Sequence, residues 1–211
     1  MSGLKITTAW TVKAVSTTDL KKHLRLDSSF SADDTYISEL ESAVQNVLEA
    51  YLGRAITNQT LTLSLDTLPY ANNNGNLPEG FFTAPDLNTG IGHILLPKPP
   101  LSSVTSFKYY DDADSATTWA ASNYYVDSAH EPGRIIPRDG SVFPTSSDLR
   151  VANAFEIEYV AGYGSSASDV PTSIHQAIKF LVANLYENRE IVTDLSTNQI
   201  PKTMGMMLEP Y

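Results

Sequence analysis

Two segments with helical hydrophobic spacing lie far apart in the chain, and about a hundred residues of a different periodicity separate them. Apolar residues recur three or four positions apart in residues 31–52 and again in residues 171–190. Between them, apolar and polar residues alternate in short runs that end at turns rich in Pro, Asn, Asp and Gly. Because isolated amphipathic helices are marginal in water, the two helical parts are expected to pack together across the intervening strands.

The helices are predicted near residues 19–26, 31–52, 171–190 and, as a short tail helix, 201–208. Residues 16–19 supply N-cap chemistry for the first helix, Ser31 is the predicted cap of the second, and Gly53 is its predicted stop. Pro171 suits the first turn of the third helix. The predicted buried positions are Ile37, Leu40, Val44, Val47, Leu48 and Tyr51 in the second helix, and Ile174, Ile178, Leu181 and Leu185 in the third.

The predicted fold class is α+β, a small helical bundle with a large antiparallel β insertion. Residues 1–58 and 161–211 form the predicted helical core, and residues 59–160 form the insertion. Residues 69–92, rich in Asn, Gly and Pro, are predicted as a long loop. Strands are predicted near residues 61–65, 93–96, 104–110, 117–120, 124–127, 134–137 and 154–160.

Charge and composition exclude several classes of function. The net charge is −10, from 14 Lys and Arg against 24 Asp and Glu, whereas proteins that hold DNA through its phosphates are usually basic. The absence of cysteine excludes disulfides, thiolate catalysis and Cys-type zinc sites. No run of 18 apolar residues exists, so no membrane span is expected.

No catalytic, cofactor-binding or metal-binding residue is predicted, and the chain is not expected to be an enzyme. His23, His93, His130 and His175 lack the spacing of metal ligands. Asp111, Asp112 and Asp114 lack the glycine and terminal Glu of a calcium loop, which favours a hairpin turn.

Two other readings of the β insertion stay open. Glu156 and Glu158 are a carboxylate pair of the kind that glycosidases use, although neighbours on an exposed strand face are the simpler account. The insertion is also aromatic, so it is either a module that binds carbohydrate or a host surface, or simply core and interface. The aromatic residues are Tyr109, Tyr110, Trp119, Tyr124, Tyr125, Tyr159 and Tyr163.

Several motifs in a fixed order carry a resemblance to a known family. They are DLKKHLRLD at 19–27, DD at 33–34, EAYLGR at 49–54, LPKPPLSSV at 96–104, YVD at 125–127, PGRI at 132–135, VAGYG at 160–164, and the segment from Pro171 to LYENRE at 185–190. This ordered set resembles the head–tail connector, or adaptor, family of tailed bacteriophages, with relatives in prophages and gene-transfer particles. The resemblance covers nearly the whole chain.

The resemblance implies a structural protein of the virion neck, assembled in the host cytoplasm. Members form a ring beneath the portal, expected to be twelve-fold, which extends the DNA channel and joins the capsid to the neck or tail. The implied partners are the portal protein, the stopper or tail-completion proteins, and further copies of the chain. The ring encloses DNA without sequence-specific binding, contacts no membrane and needs no cofactor.

Three sets of residues are candidates for these contacts. Residues 27–53 contain acids and no Lys or Arg, so Asp33, Asp34, Glu39 and Glu41 are possible lumen acids, with an exposed outer helix face as the alternative. Lys21, Lys22 and Arg25 are a possible subunit contact with the acidic second helix of a neighbour. The tail residues Met204, Met206, Met207, Leu208 and Tyr211 are expected either to dock on the portal or to fold back on their own bundle.

Overall fold

The computed structural model describes residues 3–68, 82–83, 92–144, 148–189, 205 and 207–211. The chain forms two compact units, one of residues 1–10 and 58–162 and the other of residues 11–57 and 163–211. The fold class is α+β, as predicted. Within the described ranges, no helix is both long and apolar enough to cross a bilayer.

The second unit contains the helices α1 (Thr17–His23), α2 (Asp34–Leu52) and α3 (Thr172–Glu187). Ser16 caps α1 by accepting a 3.1 Å hydrogen bond from the amide of Asp19, as predicted. Gly53 ends α2 with φ of 65°, a left-handed conformation that a side chain disfavours.

The predicted cap at Ser31 is wrong. The helix α2 begins at Asp34, Asp33 occupies the N-cap position, and no side chain caps the first turn. The carboxylate of Asp33 instead accepts hydrogen bonds from Tyr186 and Arg189 at the end of α3. Contacts between helices have therefore replaced a local cap.

The helices α2 and α3 pack against each other, as predicted. Their buried apolar side chains, with contributions from residues 14–20, Ile56, Val170 and Leu208, form one core. The helical members are Ile37, Val44 and Leu48 of α2, and Ile174, Ala177, Ile178 and Val182 of α3.

The edges of that core differ from prediction. Leu40 and Leu181 lie only partly buried against it, and Val47, Tyr51 and Leu185 are exposed. The inward face of α2 is rotated toward a polar row, Glu41, Gln45 and Glu49, which is buried in place of Val47 and Tyr51. Helical spacing predicted an apolar stripe but not which side of it the rest of the unit would cover.

The first unit contains two antiparallel sheets among its described residues. The strands are β1 (Gly3–Thr8), β2 (Gln59–Leu65), β3 (Phe82–Thr83), β4 (His93–Leu95), β5 (Leu101–Tyr110), β6 (Ala116–Thr118), β7 (Tyr124–Asp127), β8 (Arg134–Pro137) and β9 (Phe155–Ala161). One sheet has the order β1-β2-β9-β5-β6 and the other β3-β4-β8-β7. No strand was predicted for residues 3–8, where the alternation is limited to Leu4 and Ile6, yet β1 pairs with β2 from Gly3 opposite Ser64.

The alternation seen in the sequence sets the register of the central strands. Leu61 and Leu63 of β2 lie opposite Tyr159 and Ile157 of β9, and all four side chains are buried. The PGRI motif has a packing role here. A Cβ atom on Gly133 would lie 2.4 Å from the Cβ of Leu101, so only glycine allows this approach.

Candidate functional site

His23, His130 and His175 make contacts within the fold that leave no sign of a metal or catalytic role. The imidazole Nε2 of His175 bonds the carbonyl oxygen of Ala167, and burial lowers the pKa of this histidine. His130 bonds the carbonyl oxygen of Pro132, and the ring of His23 meets Phe180 edge-on. Across the described residues, no three His, Asp or Glu side chains are grouped to hold a metal ion.

The other carboxylates singled out in the β insertion also have local roles. Asp111 accepts hydrogen bonds from the amides of Ala113 and Ser115, which closes the predicted hairpin turn. Glu156 lies opposite Lys108 of β5, and Glu158 lies opposite Ser106. These two acids are therefore neighbours along one strand, on one face of the sheet.

Six of the aromatic side chains described in the β unit form core. Phe107 is surrounded by Trp119, Tyr124, Phe143 and Phe155 at centroid distances of 5.0–6.5 Å, and all of these rings are buried. Tyr159 is also buried, and its hydroxyl donates to the carbonyl oxygen of Pro97. A stacking platform needs open ring faces, so these rings do not form one.

The surface rings of Tyr110 and Tyr125 are covered by arginines. Arg150 lies 3.9 Å from the centroid of Tyr110, and Arg138 lies 3.9 Å from that of Tyr125. A cleft of about 390 Å³ in the same unit is lined by Asp66, Arg150 and mainly apolar residues. Both charged side chains bond the backbone of Asn153 and so hold a turn.

The predicted lumen acids divide into buried and surface groups. Glu41 is fully buried, so its assignment to an exposed acidic face is wrong, and Glu49 is buried too. Asp34 lies 3.0 Å from Lys21, and Asp33 pairs with Arg189 at 3.3 Å, while Glu39 is exposed. The lumen role stays a prediction for Asp33, Asp34 and Glu39.

The buried row of α2, Glu41, Gln45 and Glu49, binds backbone of two other segments. Gln45 accepts a 2.9 Å bond from the amide of Ala14, and Glu41 accepts a longer bond of 3.4 Å from that of Val15. Glu49 accepts a 2.9 Å bond from the amide of Ile56. These polar side chains satisfy amides that water cannot reach.

This row was missed at the level of sequence. Its signal is visible in hindsight, because positions 41, 45 and 49 repeat every four residues beside the apolar stripe. Polar residues with that spacing normally mark a solvated face. Only the two backbone segments laid over the helix make them internal.

Substituting Glu41 by Gln is expected to change how stability depends on pH. Burial raises the pKa of Glu41, partly offset by the Val15 amide and by Lys13, whose ammonium lies 3.7 Å from the carboxylate. A raised folded-state pKa gives stability that is present at low pH and lost as pH rises through that value. The Gln variant keeps the acceptor for Val15, so its stability relative to wild type should increase from acid to neutral pH.

Urea unfolding of both proteins over a pH series measures this difference. Glu39→Gln is the matched control, because Glu39 is exposed on the same helix. If the free energies of unfolding of Glu41→Gln and wild type change with pH in parallel, the raised pKa of Glu41 is contradicted.

The basic cluster of α1 is only partly available to a neighbour. Lys21 is buried and pairs with Asp34 of its own chain, so its assignment to a subunit contact is wrong. The expected pairing of first and second helices thus occurs within one copy. Lys22, which pairs with Asp19 at 3.4 Å, and Arg25 are exposed.

The end of the tail folds onto its own helical unit. Leu208 is 3% exposed in the core shared by α2 and α3. Arg54 lies 5.7 Å from the ring centroids of both Tyr163 and Tyr211 and donates a 3.3 Å bond to the main-chain oxygen of Tyr211. Ser173 donates to the Tyr211 hydroxyl. Sequence reasoning did not identify Arg54 as the anchor.

The prediction that Leu208 and Tyr211 are free to dock on the portal is therefore wrong, and the alternative, folding back on their own bundle, is the observed one. Met207 is partly buried, and Met204 and Met206 lie outside the described residues. Docking stays a prediction for the three methionines only.

Comparisons with known proteins identify the fold. No protein-family model matches the chain, and no curated protein sequence matches it. A chain from the neck of an empty gene transfer agent (GTA) particle, computed with C6 symmetry, is 24% identical with a TM-score of 0.71, and the match covers 98% of this chain and 93% of that one.

Two further structures of this kind share the fold. A chain from the virion of a native GTA particle is 22% identical with a TM-score of 0.73, over 99% of this chain and 94% of that one. A chain from the neck of a native GTA particle, computed with C12 symmetry, is 22% identical with a TM-score of 0.64, over 98% and 93%. The likeness to neck structures of phage-like particles is confirmed at the level of the fold.

Proposed function

We propose that this chain is a structural virion protein, a head-to-tail connector that forms a ring beneath the portal. The ring extends the DNA channel and joins the capsid to the neck or tail. The observation that carries the proposal is the fold shared over 98–99% of the chain with proteins of GTA necks and virions. The order of motifs along the sequence supports the same family.

The proposed partners are the portal protein, the stopper or tail-completion proteins, and further copies of this chain. The symmetries of the two neck structures, C6 and C12, support a ring built from repeated copies. A twelve-fold ring in the virion neck, assembled in the host cytoplasm, is the arrangement we propose.

The proposed relation to DNA is passage without attachment. A net charge of −10 gives the chain a surface that on average repels phosphates. Asp33 and Asp34 are the acids that we assign to the channel wall. Cationic groups there would release counterions on binding and hold the genome in place.

The carbohydrate-binding alternative has no observation in its favour. The rings of Trp119, Tyr124 and Tyr159 are buried, those of Tyr110 and Tyr125 are covered by arginine, and Tyr109 is partly buried.

The test is deletion of the gene for this chain from the genome that encodes the particle. Without the gene, we expect DNA-filled heads that lack tails, and resupply of the wild-type protein should restore joined particles. Cryo-electron microscopy of those particles should show the chain as a ring at the neck. Infectious, tailed particles formed without the chain, or particles that do not contain it, would refute the proposal.

A further inference from the structure

The outward face of α2 carries no charge over its last turns. From Leu40 to Leu52 the charged residues are Glu41 and Glu49, and both point inward. The exposed positions in this stretch are Ala43, Asn46, Val47, Ala50 and Tyr51. We call Ala43, Val47, Ala50 and Tyr51 the α2 face. They lie on one side of the helix because they are three, four, seven and eight positions apart.

The α2 face is apolar and open. Val47 is 63% exposed and Tyr51 59% exposed. Single exposed apolar residues are ordinary, but here four neighbours share a surface while two carboxylates of the same helix are buried. Depletion of charge together with an exposed tyrosine is the composition of the centre of a protein interface.

A second exposed apolar group lies on a different part of the same unit. Phe180 of α3 is 45% exposed, and its ring meets that of His23 edge-on at 5.5 Å. Lys22 and Arg25, both exposed, flank His23 along the chain. We call Phe180, His23, Lys22 and Arg25 the α3 patch.

The two surfaces differ in charge in a complementary way. Residues 27–53 contain no Lys or Arg, and the exposed Glu39 lies one turn before Ala43. The α3 patch is cationic at its edge. An apolar centre with opposite charges at the rim favours one orientation of the two surfaces.

We propose that the α2 face of one copy packs against the α3 patch of a second copy, head to tail. A closed ring requires two different surfaces on each subunit, which these two provide. This inference rests on the proposed function, in which copies of the chain form a ring. In this arrangement Val47 and Tyr51 lie at the centre of the subunit contact, and Lys22 and Arg25 lie at its rim.

The first test uses a charge placed in the centre of the α2 face. Val47→Asp should weaken self-association about tenfold or more, as expected for a central interface position. Thr35→Asp is the matched control, because it adds the same charge to an exposed position of the same helix two turns before that face. Sedimentation velocity over a concentration series measures the association, and circular dichroism checks that both variants fold.

The second test uses the absence of cysteine in the natural chain. A variant with both Val47→Cys and Phe180→Cys, treated with a bis-maleimide crosslinker, should give a ladder of dimers, trimers and larger species. Each single variant should stop at a low yield of dimers, since a head-to-tail contact joins two different positions.

The proposal is overturned if wild type remains monomeric at every concentration and the double variant forms no ladder beyond the single variants. It is equally overturned if Val47→Asp associates as wild type does. Failure of the proposed function is a separate result. If the chain is found in particle necks but the double variant gives no ladder, only this contact is refuted. If the ladder forms but the chain is missing from particles, only the connector role is refuted.

Discussion

Replacing Leu48 or Ile178 by alanine is expected to lower the free energy of unfolding by about 2–5 kcal/mol, the range for truncating a buried aliphatic side chain. Leu48 of α2 and Ile178 of α3 are fully enclosed in the core that joins the two helices. Alanine at either position removes burial from water and leaves a cavity that neighbours on two helices fill only in part.

Denaturant unfolding of the two variants measures this loss. Val47→Ala is the control, since it truncates an exposed side chain on the same helix and should stay within about 0.5 kcal/mol of wild type. Equal stability of Leu48→Ala and Val47→Ala would contradict the observed rotation of α2.

Deleting residues 205–211 is expected to destabilise the isolated protein by about 2–5 kcal/mol, because it removes the buried Leu208 from the core. The deletion also removes two contacts of the buried Arg54, its hydrogen bond to the main-chain oxygen of Tyr211 and its cation–π contact with the Tyr211 ring. A buried charge that loses a partner adds to the loss.

Two point variants separate the contributions of the tail. Leu208→Ala should reproduce much of the destabilisation, whereas Glu209→Ala, at an exposed position, should have little effect. The melting temperature of the free chain is the measurement. A deletion variant that melts like wild type would restore the docking hypothesis for the whole tail.

Local patterning was sufficient for the elements with strong periodicity. Alternation from Leu61 to Leu65 and helical spacing at Val44 and Ile178 each predicted a buried face. The side chains at these positions are buried in the structure. The N-cap of α1 and the stop at Gly53 were also predictable, because both depend on residues within one turn.

Contacts between distant residues account for the errors. Asp33 holds the N-cap position of α2, but its side chain caps no amide, and its carboxylate instead accepts hydrogen bonds from Tyr186 and Arg189. The strand β1 forms along the edge of β2, although only Leu4 and Ile6 alternate with polar residues in this short segment. Lys21 was assigned to a neighbouring copy, yet Asp34 of its own chain is within reach.

Sequence patterns were sufficient to predict the order and type of the main elements and the pairing of α2 with α3. Which polar residues are internal depends on packing between distant segments. Glu41, Gln45 and Glu49 have the spacing of a solvated face, but the amides of Ala14, Val15 and Ile56 lie over them and need acceptors. A buried donor recruits whichever acceptor packing brings near it, and that choice depends on residues far away along the chain.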